Sequence, residues 1–212
     1  MVILVMGMHR SGTSALAGLL YAGGIFMGEE LVGKSHNNPK GHYEDKRLLS
    51  INRKILKSFG GSWRNVPDMR YEELPNDLLS NMKELYQRYA SSHEIWGWKD
   101  PRMGVTFPVW YKVLRAEKIV FLHIIRKPEE VFLSLEKRDR FTKDQAEGLW
   151  AKYNLSIENC RKNWKIDNVV IMFNNLVEDP LKEQRKIERL CGIDLGDGYK
   201  FVEKKHKHWN CE

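Results

Sequence analysis

The sequence predicts an α/β fold with a central parallel sheet and helices on both of its faces. Short segments that are apolar throughout alternate with longer segments of helical periodicity. Strands without a polar face are typical of parallel sheets, which are covered on both sides. A glycine-rich turn, "GMHRSGTS" at 7–14, directly follows the first apolar segment, as phosphate-binding loops do. The chain has 212 residues, a length that suits a single domain over 1–212.

Four segments are predicted to be strands because each is short, apolar and rich in β-branched or aromatic residues. The first, residues 2–6, leads directly into the glycine-rich turn. The second is "EIWGW" at 94–98, and the third, "KIVFLHII" at 118–125, is the clearest buried strand in the chain and ends at Arg126. The last is "NVVIMF" at 168–173. Helical segments between these strands would make the sheet parallel.

Helices are predicted from apolar residues that recur every three or four positions. Residues 13–22 form the first helix, which Gly23 ends. The longest pattern covers 143–165, where Thr142 and Gln145 have the spacing of a capping box. Four further helical patterns cover 45–58, 76–90, 129–138 and 180–191.

Composition and charge narrow the class of partner. The net charge of +7 favours an anionic partner such as a nucleotide, an acidic glycan or a nucleic acid. Nucleic acid is disfavoured, because the basic residues are spread through the helices instead of forming one stripe. Cys160, Cys191 and Cys211 lie far apart, which is typical of free thiols in a reducing compartment, so we expect a cytoplasmic protein. No apolar run approaches the roughly 20 residues of a membrane span, and we expect the short apolar start to be a strand, not a signal peptide.

The turn after the first strand is the best candidate for a binding site, because ligands of parallel sheets bind at the carboxyl ends of the strands. Backbone N–H groups around Gly12 and the start of the following helix can surround an anion. Hydroxyl groups of Ser11, Thr13 and Ser14 add donors, and Arg10 adds a cation. This arrangement predicts a site for phosphate or sulfate.

The turn differs from that of a nucleoside triphosphatase or kinase. Such enzymes carry Lys where this chain has Thr13, and they hold Mg²⁺ with an acidic residue at a strand end. Here Arg126 and Asn174 follow the third and fourth strands. A site that meets anionic charge with Arg and Lys needs no metal and suits a group with less charge than a γ-phosphate. A small-molecule kinase with a variant loop remains the alternative.

Two further strand ends offer cations. Lys99 follows the second strand and is a candidate to stabilise developing charge near the loop. Asp100 and Arg102, in the same "KDPR" turn, are expected to pair with each other. Arg126 and Ser134 are eight positions apart, at the end of the third strand and in the next helix, and could bind a second anion away from the first loop.

Taken together, these motifs resemble those of a known enzyme family. The segments "HRSGTSALAGLL", "NNPKGHYED", "KDPR" and "FLHIIRKPEEVFLSL" are similar to the sulfotransferases that use 3′-phosphoadenosine 5′-phosphosulfate (PAPS). The resemblance is to the small bacterial-type enzymes and, in the Arg-Ser-Gly-Thr loop and the Lys-Asp-Pro turn, to the tyrosylprotein sulfotransferases. It spans about 1–45 and 95–191, and it implies a P-loop-containing three-layer fold.

The resemblance also implies roles for the candidate residues. Arg126 and Ser134 would hold the 3′-phosphate of the donor, and Arg10 and Lys99 would stabilise the leaving phosphate and the transferring group. No metal is expected at the chemical step, and the nucleotide product would be adenosine 3′,5′-bisphosphate. The 5′-phosphosulfate would be held by the first loop, through Arg10, Ser11, Gly12, Thr13 and Ser14.

The residue that takes the proton of the acceptor is left open by the resemblance. Either Glu30 or Glu44 matches a catalytic Glu of related enzymes, although Glu30 is one residue short of the spacing in the tyrosylprotein enzymes. His9 and His42 are weaker candidates, because a histidine in a polar loop is usually solvated. The family's Tyr-Glu-Asp-Leu after the late strand is Phe-Asn-Asn-Leu here, at 173–176, so polar contacts from this segment are not expected.

The acceptor itself is not identified by the sequence, and a glycan, lipid, peptide or small metabolite all remain open. Residues 25–90 and the helix at 143–165 are expected to shape its pocket. Aromatic residues that could form walls are Trp63, Tyr71 and Trp150. A basic run at 204–207 is a candidate to assist the 3′-phosphate.

Overall fold

The computed structural model describes residues 1–36 and 38–203, and its centre is a four-stranded sheet. All strand pairs are parallel, and the order in the sheet is β2-β1-β3-β4. The strands are β1 (Val2–Met6), β2 (Trp96–Lys99), β3 (Ile119–Ile125) and β4 (Asp167–Met172). The predicted α/β class is therefore confirmed, and the glycine-rich turn leaves an interior strand.

The parallel pairing of the strands brings their carboxyl ends to one edge of the sheet. Val5 of β1 lies beside Lys99 of β2 and beside Leu122 of β3. Ile125 at the end of β3 lies beside Met172 of β4. The segments that follow the four strands consequently start near one another, as the sequence predicts.

Helices cover the sheet on both faces. They are α1 (Thr13–Ala22), α2 (Lys46–Ser58), α3 (Asn76–Ala90), α4 (Met103–Leu114), α5 (Pro128–Asp139), α6 (Lys143–Asn163), α7 (Phe173–Glu178) and α8 (Pro180–Cys191). Short 3₁₀ turns occur at Tyr71–Glu73 and Gly198–Phe201. None of the helices within the described residues is long and apolar enough to cross a membrane.

Alternation of side chains along β1 divides the interior into two cores. Ile3 and Val5 pack with α1, α7 and α8 on one face, whereas Leu4 and Met6 pack with α2, α3, α4 and α6 on the other. A third cluster joins α5 to α6 and includes Met8 of the glycine-rich turn. This third cluster therefore packs directly against the loop at the carboxyl edge of the sheet.

Most predicted elements are confirmed, with three differences. The predicted strand 94–98 is shifted to Trp96–Lys99, and Phe173 starts α7 instead of ending β4. Helix α4 was not predicted, because nine of its 12 residues are buried and it has no polar face to produce a helical pattern. It also contains Pro108, which normally disfavours a helix interior. The capping box that starts α6 is confirmed.

Candidate active site

The glycine-rich loop turns sharply between β1 and α1. Gly12 has a φ of +92° and precedes the first residue of α1, and a Cβ atom there would lie 2.1 Å from the ring of Phe173. Arg10 also has a positive φ, of +69°, which is uncommon for a residue other than glycine. The first turn of a helix leaves N–H groups without intrahelical partners, at the positive end of the helix dipole. The loop thus presents hydrogen-bond donors of the kind that bind anions.

Lys99 joins the loop to the segment that precedes α2. Its Nζ donates to Ser14 Oγ at 3.1 Å, to the His42 carbonyl at 3.0 Å and to Glu44 Oε1 at 2.6 Å. The side chains of Lys99 and Glu44 are only 2% and 11% exposed. Burial favours the neutral form of Glu44, but the ammonium of Lys99 and the guanidinium of Arg102 hold its pKa below the usual value. Glu44 is therefore a carboxylate at neutral pH, one side chain away from the loop.

Arg10 turns towards α5. Its Nε donates to Ser134 Oγ at 2.7 Å, and its carbonyl accepts a long contact of 3.5 Å from Nη1 of Arg126. Burial, with the charges of Arg138 and Arg126, lowers the pKa of Arg10 to about 10, so it is still charged at neutral pH. Arg126 and Ser134 consequently lie beside the loop, where both contact Arg10.

Arg126 is buried and fixed on three sides. Its Nε donates to Glu130 Oε2 at 2.6 Å, its carbonyl accepts from Nε1 of Trp150 at 3.0 Å, and its guanidinium lies 4.6 Å from the ring centre of Phe173. Phe173 therefore contacts both Arg126 and Gly12. Phe173 thus supports the site through its aromatic ring. Contrary to the expectation from sequence, the Phe-Asn-Asn-Leu segment also makes a polar contact, because Asn174 Nδ2 donates to Glu130 Oε1 at 3.4 Å.

The remaining polar residues of the "KDPR" turn form a structural pair. Asp100 accepts hydrogen bonds from Arg102 Nη1 at 2.8 Å, from the Arg102 backbone at 3.0 Å and from Asn52 Nδ2 at 2.9 Å. Burial raises the pKa of Asp100. The predicted pairing of Asp100 with Arg102 is confirmed, and it fixes the turn that directly follows Lys99.

Only one of the two candidate glutamates approaches the loop residues. Glu30 has a side chain that is 66% exposed, and its carboxylate contacts Lys46 at 3.4 Å. Glu44 instead contacts Lys99, which in turn contacts the loop. The structure thus brings together Glu44 and Lys99 but leaves Glu30 at the surface.

His9 is only partly exposed, whereas the sequence predicts a solvated side chain. Its ring stacks on Trp63 with centroids 4.3 Å apart and meets Tyr153 edge-on at 6.1 Å. Its Nε2 atom is buried and has no hydrogen-bond partner among the described residues. Burial, together with the charges of Arg102 and Arg138, lowers the pKa of His9 well below the usual value. His9 is therefore a neutral imidazole within a cationic site.

The aromatic candidates for the acceptor pocket have different surroundings. Trp63 contacts His9 of the loop, and Trp150 supports the backbone of Arg126. Tyr71 packs against the core on the side of α3 and α4. The basic run at 204–207 lies outside the described residues.

Comparisons with known proteins identify a family. The model of the sulfotransferase family matches residues 3–197, which is most of the chain. The fold is similar to the sulfotransferase domain from the Synechococcus PCC 7002 olefin synthase, with a TM-score of 0.59 and 18% identity over 93% of this chain and 75% of that one. No curated protein sequence matches the chain.

Two further solved structures have the same fold. The sulfotransferase domain from the curacin biosynthetic pathway has a TM-score of 0.54 and 16% identity, over 93% of this chain and 75% of that one. Sulfotransferase STF9 from Mycobacterium avium has a TM-score of 0.50 and 17% identity, over 93% of this chain and 65% of that one.

Proposed function

The chain belongs to the sulfotransferase family, and we propose that it transfers a sulfuryl group from PAPS to a hydroxyl or amine of an acceptor. The observation that supports this most is the convergence of three cations on one glycine-rich loop. Arg10 is part of the loop, Lys99 contacts Ser14, and Arg126 contacts the carbonyl of Arg10. Lys99 ends β2, and the loop and Arg126 directly follow β1 and β3, so the arrangement depends on three neighbouring parallel strands.

The residues present suit a donor with phosphate and sulfate groups. Amide N–H groups, hydroxyls and guanidinium groups all donate hydrogen bonds, which anionic oxygens accept. In this proposal, Arg126 and Ser134 bind the 3′-phosphate. The 5′-phosphosulfate is bound by the loop, through Arg10, Ser11, Gly12, Thr13 and Ser14. When bound, the donor supplies the sulfuryl group and leaves as adenosine 3′,5′-bisphosphate.

Arg10 and Lys99 act in the proposal by stabilising negative charge on the departing phosphate. Both are positioned before the donor binds, by Ser134 and by Glu44. We expect Arg10→Ala to lower the transfer rate by about 10²–10³-fold, by analogy with loss of an oxyanion donor. The rate is measured as release of adenosine 3′,5′-bisphosphate from PAPS with a panel of phenol, hexose, amine and fatty-alcohol acceptors. Near-normal turnover by folded Arg10→Ala would contradict this role.

Glu44 is the residue that we propose takes the proton of the acceptor. It is ionised, and it lies beside Lys99. An anionic donor near Lys99 would share the charge that now holds the pKa of Glu44 down, and the carboxylate would become a better base. The exposure of Glu30 argues against the same role for that residue.

Calorimetric titration with adenosine 3′,5′-bisphosphate tests the donor site. We expect tight binding that does not depend on Mg²⁺ and that exceeds the binding of AMP. Arg126→Ala should abolish it, whereas Lys127→Ala, which changes an exposed cation next in sequence, should not. Preference for ATP with Mg²⁺ would support a kinase instead, and binding of neither nucleotide would contradict a nucleotide-dependent transferase.

A further inference from the structure

A cavity of about 380 Å³ lies between the segment after α2 and the turn from α5 to α6. Its apolar part is formed by Val66, Phe141 and Leu149, which are 8%, 8% and 7% exposed. Its polar part includes Arg140 and Lys152. The volume is within the range of sites for small ligands.

The cavity adjoins the candidate active site through Trp63. The ring of Trp63 lies 4.3 Å from that of His9 in the loop and 5.6 Å from that of Phe141 in the cavity. Asp139, which also lines the cavity, is near enough to Arg10 for its charge to raise the pKa of that guanidinium. A molecule in this cavity would therefore be one aromatic side chain, that of Trp63, away from the loop to which the donor is proposed to bind.

The carboxylate of Asp139 is already neutralised. Asp139 accepts hydrogen bonds from Arg64 Nη2 at 2.8 Å and from Arg138 Nε. Both guanidinium groups also lie over the ring of Trp63, at 5.2 Å and 5.8 Å from its centre. Asp139 thus pairs with two arginines and offers no net attraction for a cationic ligand.

Two cations of the cavity have no carboxylate partner within the described part of the chain. Lys152 Nζ donates to the carbonyl of Val66 at 2.6 Å, so its charge is not neutralised. Arg140 is exposed and makes no ion pair among the described residues, although the exposed Asp144 also lines the cavity. The lining of the cavity has three cations, Arg64, Arg140 and Lys152, and two carboxylates, Asp139 and Asp144, so its excess charge is positive.

The backbone of Arg140 is a second unusual feature. It ends α5 with a φ of +56°, a conformation in which helices usually place glycine or asparagine. An arginine there costs conformational energy relative to glycine. The side chain provides no ion pair within the described residues that would offset this cost, which agrees with a role in binding.

We propose that this cavity binds the acceptor and selects one that carries a carboxylate or phosphate group attached to an apolar or ring-shaped body. Arg140 and Lys152 bind the anion, and Val66, Phe141 and Leu149 pack against the body. The proposal rests on the proposed function, since it places the acceptor on the other side of Trp63 from the proposed donor site. It narrows the open list of acceptors to anionic ones.

This selectivity is tested with pairs of small hydroxyl compounds, one anionic and one neutral in each pair. Their binding is measured by calorimetric titration of protein saturated with adenosine 3′,5′-bisphosphate. The probes are 4-hydroxybenzoate with 4-hydroxybenzamide, 4-hydroxyphenyl phosphate with the same amide, and glucuronate with glucose. We expect the anionic member of at least one pair to bind on the order of tenfold more tightly, with an advantage that falls as salt is added. Equal affinity within every pair overturns the proposal.

Variants connect the selectivity to the two cations. Arg140→Gly removes the cation and suits the positive φ, so it should keep or raise stability while the anionic advantage is lost. Lys152→Gln retains a donor for Val66 and should reduce the advantage, whereas Lys162→Gln, an exposed cation far along α6, should not. An advantage that persists in the Arg140→Gly and Lys152→Gln double variant overturns the proposal. Failure of adenosine 3′,5′-bisphosphate to bind would contradict the proposed function. Normal binding of the bisphosphate without selectivity for anionic compounds would contradict only the acceptor proposal.

Discussion

At the residue scale, the pair of Lys99 and Glu44 makes the most specific prediction about the reaction. Glu44→Gln retains a hydrogen-bond acceptor for Lys99 but removes the base, so we expect transfer to fall by about 10²–10⁴-fold. Binding of adenosine 3′,5′-bisphosphate should persist or strengthen, because a negative charge near the anion is lost. The two measurements are bisphosphate release from PAPS and calorimetry.

The matched control for this variant is Glu30→Gln. Glu30 contacts only Lys46 in the described structure around it, at the surface. We therefore expect Glu30→Gln to change transfer by less than about twofold. If Glu30→Gln lowers the rate and Glu44→Gln does not, the assignment of the base is reversed.

His9 makes a second prediction at this scale, about the effect of pH on stability. Its pKa is lowered in the folded protein, so below about pH 6.5 the unfolded chain binds a proton that the folded chain resists. The free energy of unfolding should therefore decrease as pH falls through this window, by up to about 1.4 kcal/mol per pH unit. His9→Phe retains the ring on Trp63 and should show a weaker decrease in urea unfolding at about pH 7.5 and 5.5.

Exposed His36 is the control, since His36→Phe should leave the pH dependence of the wild type unchanged. An equal decrease in His9→Phe and in the wild type would show that His9 is not held neutral by its surroundings.

Sequence could predict which residues meet at the strand ends, but not how they contact each other. Spacing placed Arg126 and Ser134 correctly at the end of β3 and in α5. The bond from Arg10 to Ser134 depends on side-chain conformation, which spacing does not determine. The surroundings of His9 were not predicted, because its partial burial depends on Trp63, a residue distant in sequence whose position no local pattern reveals.

At the element scale, elements with a regular pattern were predictable and fully buried or very short ones were not. The predicted bounds of the helices at 13–22, 76–90 and 180–191 agree with the structure, because their apolar residues follow a helical period or because glycine ends them. Helix α4 is buried on nearly all sides and α7 has only six residues, so neither produces a clear period.

The prediction at this scale concerns Gly12, which directly precedes α1. Gly12→Ala must adopt a φ of +92° and place its Cβ 2.1 Å from Phe173, whose ring also supports Arg126. We expect it to lose more than about 2 kcal/mol of stability and most of its affinity for adenosine 3′,5′-bisphosphate. Urea unfolding and calorimetry measure the two effects.

Gly24→Ala is the control that separates the effect of an unfavourable φ from the effect of a steric clash. Gly24 has a similar φ of +87°, but no atom lies within 4 Å of an added Cβ. It should cost only about 1 kcal/mol and leave nucleotide affinity unchanged. If Gly12→Ala and Gly24→Ala lose equal amounts of stability and of nucleotide affinity, contact with Phe173 does not restrict the loop.

At the scale of the whole molecule, the candidate site depends on the parallel order of the sheet. Lys99 ends β2, whereas the loop and Arg126 follow β1 and β3, and these three strands are adjacent in the sheet. Each cation is also fixed by residues from another part of the chain: Lys99 by the segment before α2, and Arg10 by α5. A ligand that contacts all three cations should therefore stabilise the fold as one unit.

Thermal unfolding tests this coupling. Adenosine 3′,5′-bisphosphate at about 100 times its Kd should add about 2.7 kcal/mol, which raises the Tm of a chain of this size by about 5–10 °C. AMP at the same concentration lacks the 3′-phosphate and should give a much smaller rise, and Mg²⁺ should change neither. The difference between the two nucleotides should disappear in Arg126→Ala but persist in Lys127→Ala. If AMP and the bisphosphate raise the Tm equally in the wild type, Arg126 and Ser134 do not bind a 3′-phosphate, and the loop alone holds the nucleotide.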